Sequence, residues 1–106
     1  LNDKVYIEAA AGLAKLSLDN FTQIEDSIRY AFQRVTCRKA TAEEFDALKE
    51  LARVQKAEFD KDPESARLLL EHGRWSIEES ENQNVAATLM IIANVLLNLD
   101  EILVRG

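Results

Sequence analysis

The sequence predicts an all-α domain, a compact bundle of about five helices with a hydrophobic C-terminal central helix. Three observations carry that reading. Glycine and proline are scarce, three and one in 106 residues, so few positions interrupt a helix. Apolar residues recur at spacings of three and four in separate segments, which is the period of one helix face. Two segments also open on residue pairs that mark helix starts, Thr41 with Glu44 and Asp62 with Pro63.

Taken in order, residues 3–17 read as the first helix, with Tyr6, Ala9, Ala10, Leu13 and Ala14 on its apolar face. Gly12 weakens it or admits a close neighbour. Ser17 to Asn20 breaks the pattern and offers cap residues. The second helix spans about 21–36, with Phe21, Ile24, Ile28, Ala31, Phe32 and Val35 as its stripe. Acids at Glu25 and Asp26, and bases at Arg34 and Arg38, suit the two ends of its dipole. Thr41-Ala42-Glu43-Glu44 is a capping box that opens the third helix, about 42–60. Phe45, Leu48, Ala52 and Phe59 face its core side, Leu51 lies on the border, and Gln55 needs a polar partner or solvent.

Asp62, an N-cap carboxylate, and Pro63 start the fourth helix, 63–72, which Gly73 ends as the expected left-handed residue. Residues 74–83 form a polar, acidic linker that carries Trp75 and Ile77. The last helix runs about 84–104. Its main stripe is Val85, Leu89, Ile92, Ala93, Leu96, Leu99 and Leu103, widened by Met90, Val95, Leu97 and Ile102. A helix apolar on nearly every side belongs at the centre of a bundle. Asn94, Asn98 and Asp100 interrupt it, so the pattern does not predict direct membrane insertion.

The length fits one domain, with a core that needs neither disulfides nor a structural metal. Apolar residues at 47% and charged residues at 30% exclude a disordered tail. A net charge of −6 argues against nucleic acid as partner, because phosphates call for basic patches. Cys37 has no second cysteine to pair with, and no secretory signal pattern precedes the first helix. The chain begins inside an apolar periodic segment, as a C-terminal fragment of a larger polypeptide would.

No residue pattern announces catalysis. One histidine rules out a multi-histidine metal site, and His72 sits where an imidazole can bond a carbonyl at a helix end. Cys37, beside Arg34, Arg38 and Lys39, reads as a small inert residue before a reactive thiol. Serine-nucleophile motifs, a phosphate loop and a C-x-x-C-H haem motif do not occur. No cofactor is therefore placed on this chain. The candidate interaction or structural polar cluster is Trp75, His72, Asn94, Asn98, Asp100 and Arg105. Trp75 either plugs the core end or stands exposed as a binding anchor, with the plug favoured. Asn94 and Asn98 share a buried face, so their amides are expected to cap or cross-link other segments.

Three stretches resemble a known family. These are Leu1, Asn2 and Asp3 with Glu8, Ala9 and Ala10; the run AFQRVTCRKATAEE at 31–44; and VLLNLDE at 95–101 followed by Arg105. In the second, Ala31, Phe32, Arg34, Thr36, Arg38, Thr41 and Glu44 match. Together they resemble the C-terminal portion of a planctomycete-type domain of unknown function, found in large proteins that often carry a cytochrome c-like haem domain. Cys37 departs from a common Gly, Ala40 from a common Pro, and 74–83 lacks the usual prolines. The resemblance implies an exported, envelope-associated parent, with haem c in another domain and no catalytic residues to carry over.

Three readings follow. The first is a non-catalytic scaffold or protein-interaction domain whose partners are other domains of the parent. The second is the helical part of an enzyme completed by upstream residues, in polysaccharide degradation for instance. Clustered perturbed carboxylates, or a pocket joining Trp75, His72 and Asn98, would favour it. The third is self-association through an exposed apolar patch on the last helix that includes Val95, Leu97 or Ile102.

Overall fold

Five helices form where the apolar stripes run: α1 Lys4–Asn20, α2 Ile24–Thr36, α3 Ala42–Lys61, α4 Pro63–His72 and α5 Ser80–Arg105. The computed structural model describes the backbone of residues 4–78 and 80–105, and within it the side chains of 7–78 and 82–99. All-α architecture follows directly, with no strand among the described residues.

The central position of α5 follows from its composition. It packs against all four other helices, and Ala86, Ala87, Leu89, Met90, Ile92, Ala93 and Leu96 are buried on it. Ile28, Phe32, Phe45, Leu48, Phe59 and Leu70 close around them from α2, α3 and α4. Each large side chain so buried contributes about 1.5–3 kcal/mol. The stretch Asn82–Leu99 is long and apolar enough to cross a bilayer by length and composition, and half of its positions are buried inside this fold. Leu99 is not core as the stripe suggests: it is 45% exposed.

Where α1 meets α2, the sequence reading needs correction. α1 continues through Ser17, whose hydroxyl donates to the Leu13 carbonyl at 2.8 Å and so stays satisfied inside the helix. The Asn20 amide donates likewise to Leu16 at 2.8 Å. Phe21 N–H bonds back to the Leu18 carbonyl, so α2 starts only at Ile24. Phe21 is therefore no core residue. It is 37% exposed and leans on the Tyr30 ring, with centroids 5.4 Å apart.

Both turns that follow are set by local chemistry. Cys37 ends α2 in the left-handed region (φ 61°, ψ 23°), with its N–H on the Gln33 carbonyl. That conformation suits glycine. The capping box forms as expected, with Glu44 N–H on the Thr41 hydroxyl at 3.1 Å and Thr41 N–H on the Glu44 carboxylate at 2.9 Å. Asp62 caps α4 by position only. Its carboxylate accepts from the Ser65 hydroxyl at 2.6 Å rather than from a backbone N–H.

Glycine roles also differ from expectation. Gly73 has φ −83°, and the left-handed residue is its neighbour Arg74 at φ 59°. Gly73 is required by space instead: a Cβ there would lie 2.8 Å from both Ala11 Cβ and Met90 Cε. Gly12, by contrast, has nothing within 4 Å of where its Cβ would be, so no neighbour approaches it. Finally, α5 begins at Ser80, four residues early. The Gln83 side chain donates back to the Ile77 carbonyl, folding the end of the linker onto its first turn.

Candidate functional site

α2 and α3 are joined by a tight turn, yet each leans mainly on α5, and they leave a groove between them. It is a concavity of about 610 Å³ with Ile24 and Ile28 on one wall and Ala52 and Ala57 on the other. Charged residues of α3 rim it in pairs: Asp46 with Lys49 at 3.7 Å, Glu50 with Arg53 at 2.5 Å, and Lys56 with Asp60 at 3.1 Å. The hydrogen bond from Arg53 holds the Glu50 carboxyl below its ordinary range. Lys56, and then Asn84, do the same for Asp60. Asn84 reaches Asp60 from α5 at 2.9 Å, which fixes the groove's far end. An apolar floor with an ionised, alternating rim can seat an amphipathic segment and keep its polar face in water.

Trp75 lies in a second concavity of about 500 Å³, with Arg67, Glu71, Arg74, Glu78 and Gln83 around it. Trp75 is half-buried, packs against the core and also lines this cleft, so it combines features of the plug and of the anchor. Arg67 is held by Glu64 and by Glu71, the latter at 3.0 Å. The Glu64 carboxyl is lowered by that contact with Arg67. Arg74 reaches Glu8 of α1 at 3.8 Å.

Of the six candidate residues, the four whose side chains are described share no one pocket. His72 is exposed at the end of α4, and Trp75 lines its cleft without His72 or Asn98. Asn94 borders a separate apolar pocket of about 180 Å³ with Ile7, Ala10, Leu69, Met90 and Ile91. The Asp100 and Arg105 side chains lie outside the described residues. Asn94 and Asn98 were expected to cross-link segments, and here they differ: Asn98 Nδ2 donates to the Asn94 carbonyl of its own helix at 2.8 Å. The Oδ1 atoms of both are shut off from solvent with no partner. Such an acceptor destabilises by about 1–3 kcal/mol. The expected self-association patch is also altered. Val95 and Leu97 are half-buried, Ile102 lies outside the described side chains, and Leu99, which was not among the residues expected there, is exposed.

The chain matches no protein-family model, no curated protein and no solved structure.

Sequence reasoning missed three features. Ser17 and Ser27 are both buried and join α1 to α2, the Ser27 hydroxyl donating to the Ser17 carbonyl at 3.3 Å. Serines inside apolar stripes were the available signal. Asn84 bonding Asp60 had none, because the partners are 24 residues apart. Phe45 has Arg29 3.9 Å and Lys49 4.9 Å from its ring centroid. Of these, only the Phe45–Lys49 spacing was legible beforehand. Among the described residues, no three His, Cys, Asp or Glu side chains group as metal ligands would.

Proposed function

We propose that this chain is a non-catalytic helical scaffold or interaction domain of a larger, envelope-associated protein. In this reading it docks other domains of that protein, and any haem c sits in one of them. The observation that carries the docking role is the groove between α2 and α3, open and apolar-floored, with the rim charges of α3 already paired. Paired charges favour a docking rim over acid–base chemistry. A general acid or base needs a pKa near the working pH, whereas Glu50 and Asp60 are moved further below it. The wider setting rests on the resemblance at 31–44 and 95–101.

The competing reading, part of an enzyme completed upstream, gains nothing from the Trp75 cleft, whose lining includes neither His72 nor Asn98. The test is to purify the native polypeptide, record its mass and assay it for covalent haem. A mass far above 12.0 kDa with haem present is the expected result. A free species near 12.0 kDa without haem would overturn the reading.

A further inference from the structure

A fourth concavity, of about 310 Å³, lies at the α2–α3 turn and is lined by Arg29, Gln33, Lys39 and Ala40. Its lining holds two cations and an amide and no carboxylate. On this chain of net charge −6 several other cations are instead paired with a carboxylate. Arg38 is bound through both terminal nitrogens by Glu44, Arg53 is bound by Glu50, and Arg67 by Glu64 and Glu71. Arg29 differs. Its one carboxylate neighbour is Asp26 at 3.6 Å, too far for a hydrogen bond, and its guanidinium carbon stands 3.9 Å from the centre of the buried Phe45 ring.

Stacking of this kind fixes the plane of a guanidinium and leaves its edge N–H donors available. Gln33 follows Arg29 by one helical turn, which puts both on one face of α2. Cys37 then reverses the chain in its left-handed conformation, and Arg38, locked to Glu44 and to the Lys39 carbonyl at 3.2 Å, holds the turn that presents Lys39. Among the described residues the Lys39 ammonium and the Gln33 amide bond to nothing.

We propose that Arg29, Gln33 and Lys39 form a recognition pocket for a doubly charged tetrahedral oxyanion, a phosphate or sulfate group. The stacked guanidinium supplies an oriented fork, the ammonium a second charge, and the Gln33 amide a neutral donor. This site is separate from the apolar groove and does not depend on the parent-protein reading. Exposure and the domain's negative field hold the affinity to the order of millimolar.

The test is a titration of the 106-residue chain, its fold first verified by a dispersed amide spectrum, with inorganic phosphate. Ionic strength is held constant with chloride. Saturable shifts are expected at Arg29 Nε–H, the Gln33 side-chain amide and the backbone of Lys39 and Ala40. They should weaken about fivefold or more in Lys39→Ala and recover in Lys39→Arg. Because Lys39 is exposed and unpaired, the alanine variant keeps the fold. Methyl phosphate, at a mildly basic pH where it is a dianion, and inorganic sulfate, titrated separately, tell a phosphate source from a sulfate one, and saturation by either supports the pocket. Linear shifts, shifts spread over other basic residues, equal saturation by acetate, or binding unchanged in Lys39→Ala would each overturn it.

Discussion

One substitution, glycine to alanine, is expected to have opposite signs at two places in this bundle. At Gly73 the new Cβ meets Ala11 Cβ and Met90 Cε at 2.8 Å, well inside ordinary contact distance. The Met90 methyl can swing away. Ala11 Cβ cannot, because it is fixed to the backbone of α1, so the end of α4 must move off α1 by several tenths of an ångström. Overpacking of this kind destabilises by about 1–3 kcal/mol. Alanine is compatible with φ −83°, which returns about 0.4–1 kcal/mol through the unfolded chain. The net is a loss of about 1–2 kcal/mol, or a Tm lower by about 5–10 °C for a domain of this size. At Gly12, inside α1 with open space around it, alanine instead stabilises by about 0.5–1 kcal/mol. Thermal and urea melts followed by circular dichroism read both variants. A third, Ala11→Gly combined with Gly73→Ala, removes the obstructing methyl and should erase most of the Gly73→Ala penalty relative to Ala11→Gly alone. If Gly73→Ala raises Tm as Gly12→Ala does, the close approach of α4 to α1 is refuted.

Cys37→Gly relieves a left-handed φ at the end of α2 and should stabilise by about 1 kcal/mol in the same melts, with a fall in Tm counting against it. Thr41→Ala removes the hydroxyl that accepts from Glu44 N–H and should cost about 1 kcal/mol, whereas an unchanged midpoint in urea would mean the cap is idle. The Glu44 carboxyl is held down to about 2, first by the Arg38 hydrogen bond and then by the Thr41 backbone N–H. A folded-state value below the unfolded one gives stability that is present above the ordinary carboxylate range and lost as pH falls toward about 2. Glu44→Gln should therefore lose part of the acid-side slope of stability against pH, and a slope identical to the parent's would contradict this.

How far the fold was legible depended on whether its signals were local. The capping box at Thr41 and the Asp62-Pro63 pair placed the starts of α3 and α4 because both devices act within one turn. The α1–α2 boundary went astray because Ser17 and Asn20 look like breakers, yet bond to carbonyls of their own helix. Gly73 was assigned a conformational role when its role is steric, and steric need depends on Ala11 and Met90, which arrive only with the tertiary fold. The stripe on α5 identified the central helix correctly. It could not say which stripe positions the other helices cover, which is why Leu99 was misplaced. The groove was invisible in advance, since it depends on how α2 and α3 splay against α5. The pairs Asp46–Lys49 and Glu50–Arg53 along its rim were readable from spacing alone. For the polar residues of α5, sequence can place Asn94 and Asn98 on one helix face, but not what that face meets.

The claim that this domain works by docking through the α2–α3 groove is tested most directly by lysine labelling of the native polypeptide. Lys49 and Lys56 stand on the groove, and Lys61, exposed beyond it, is the internal reference. Side-chain exposures of 43% and 35% against 77% would by themselves slow labelling only about twofold. Occupation of the groove by another domain should slow Lys49 and Lys56 about tenfold or more relative to Lys61. Labelling of all three within about twofold would leave the groove open in the native protein and contradict the account.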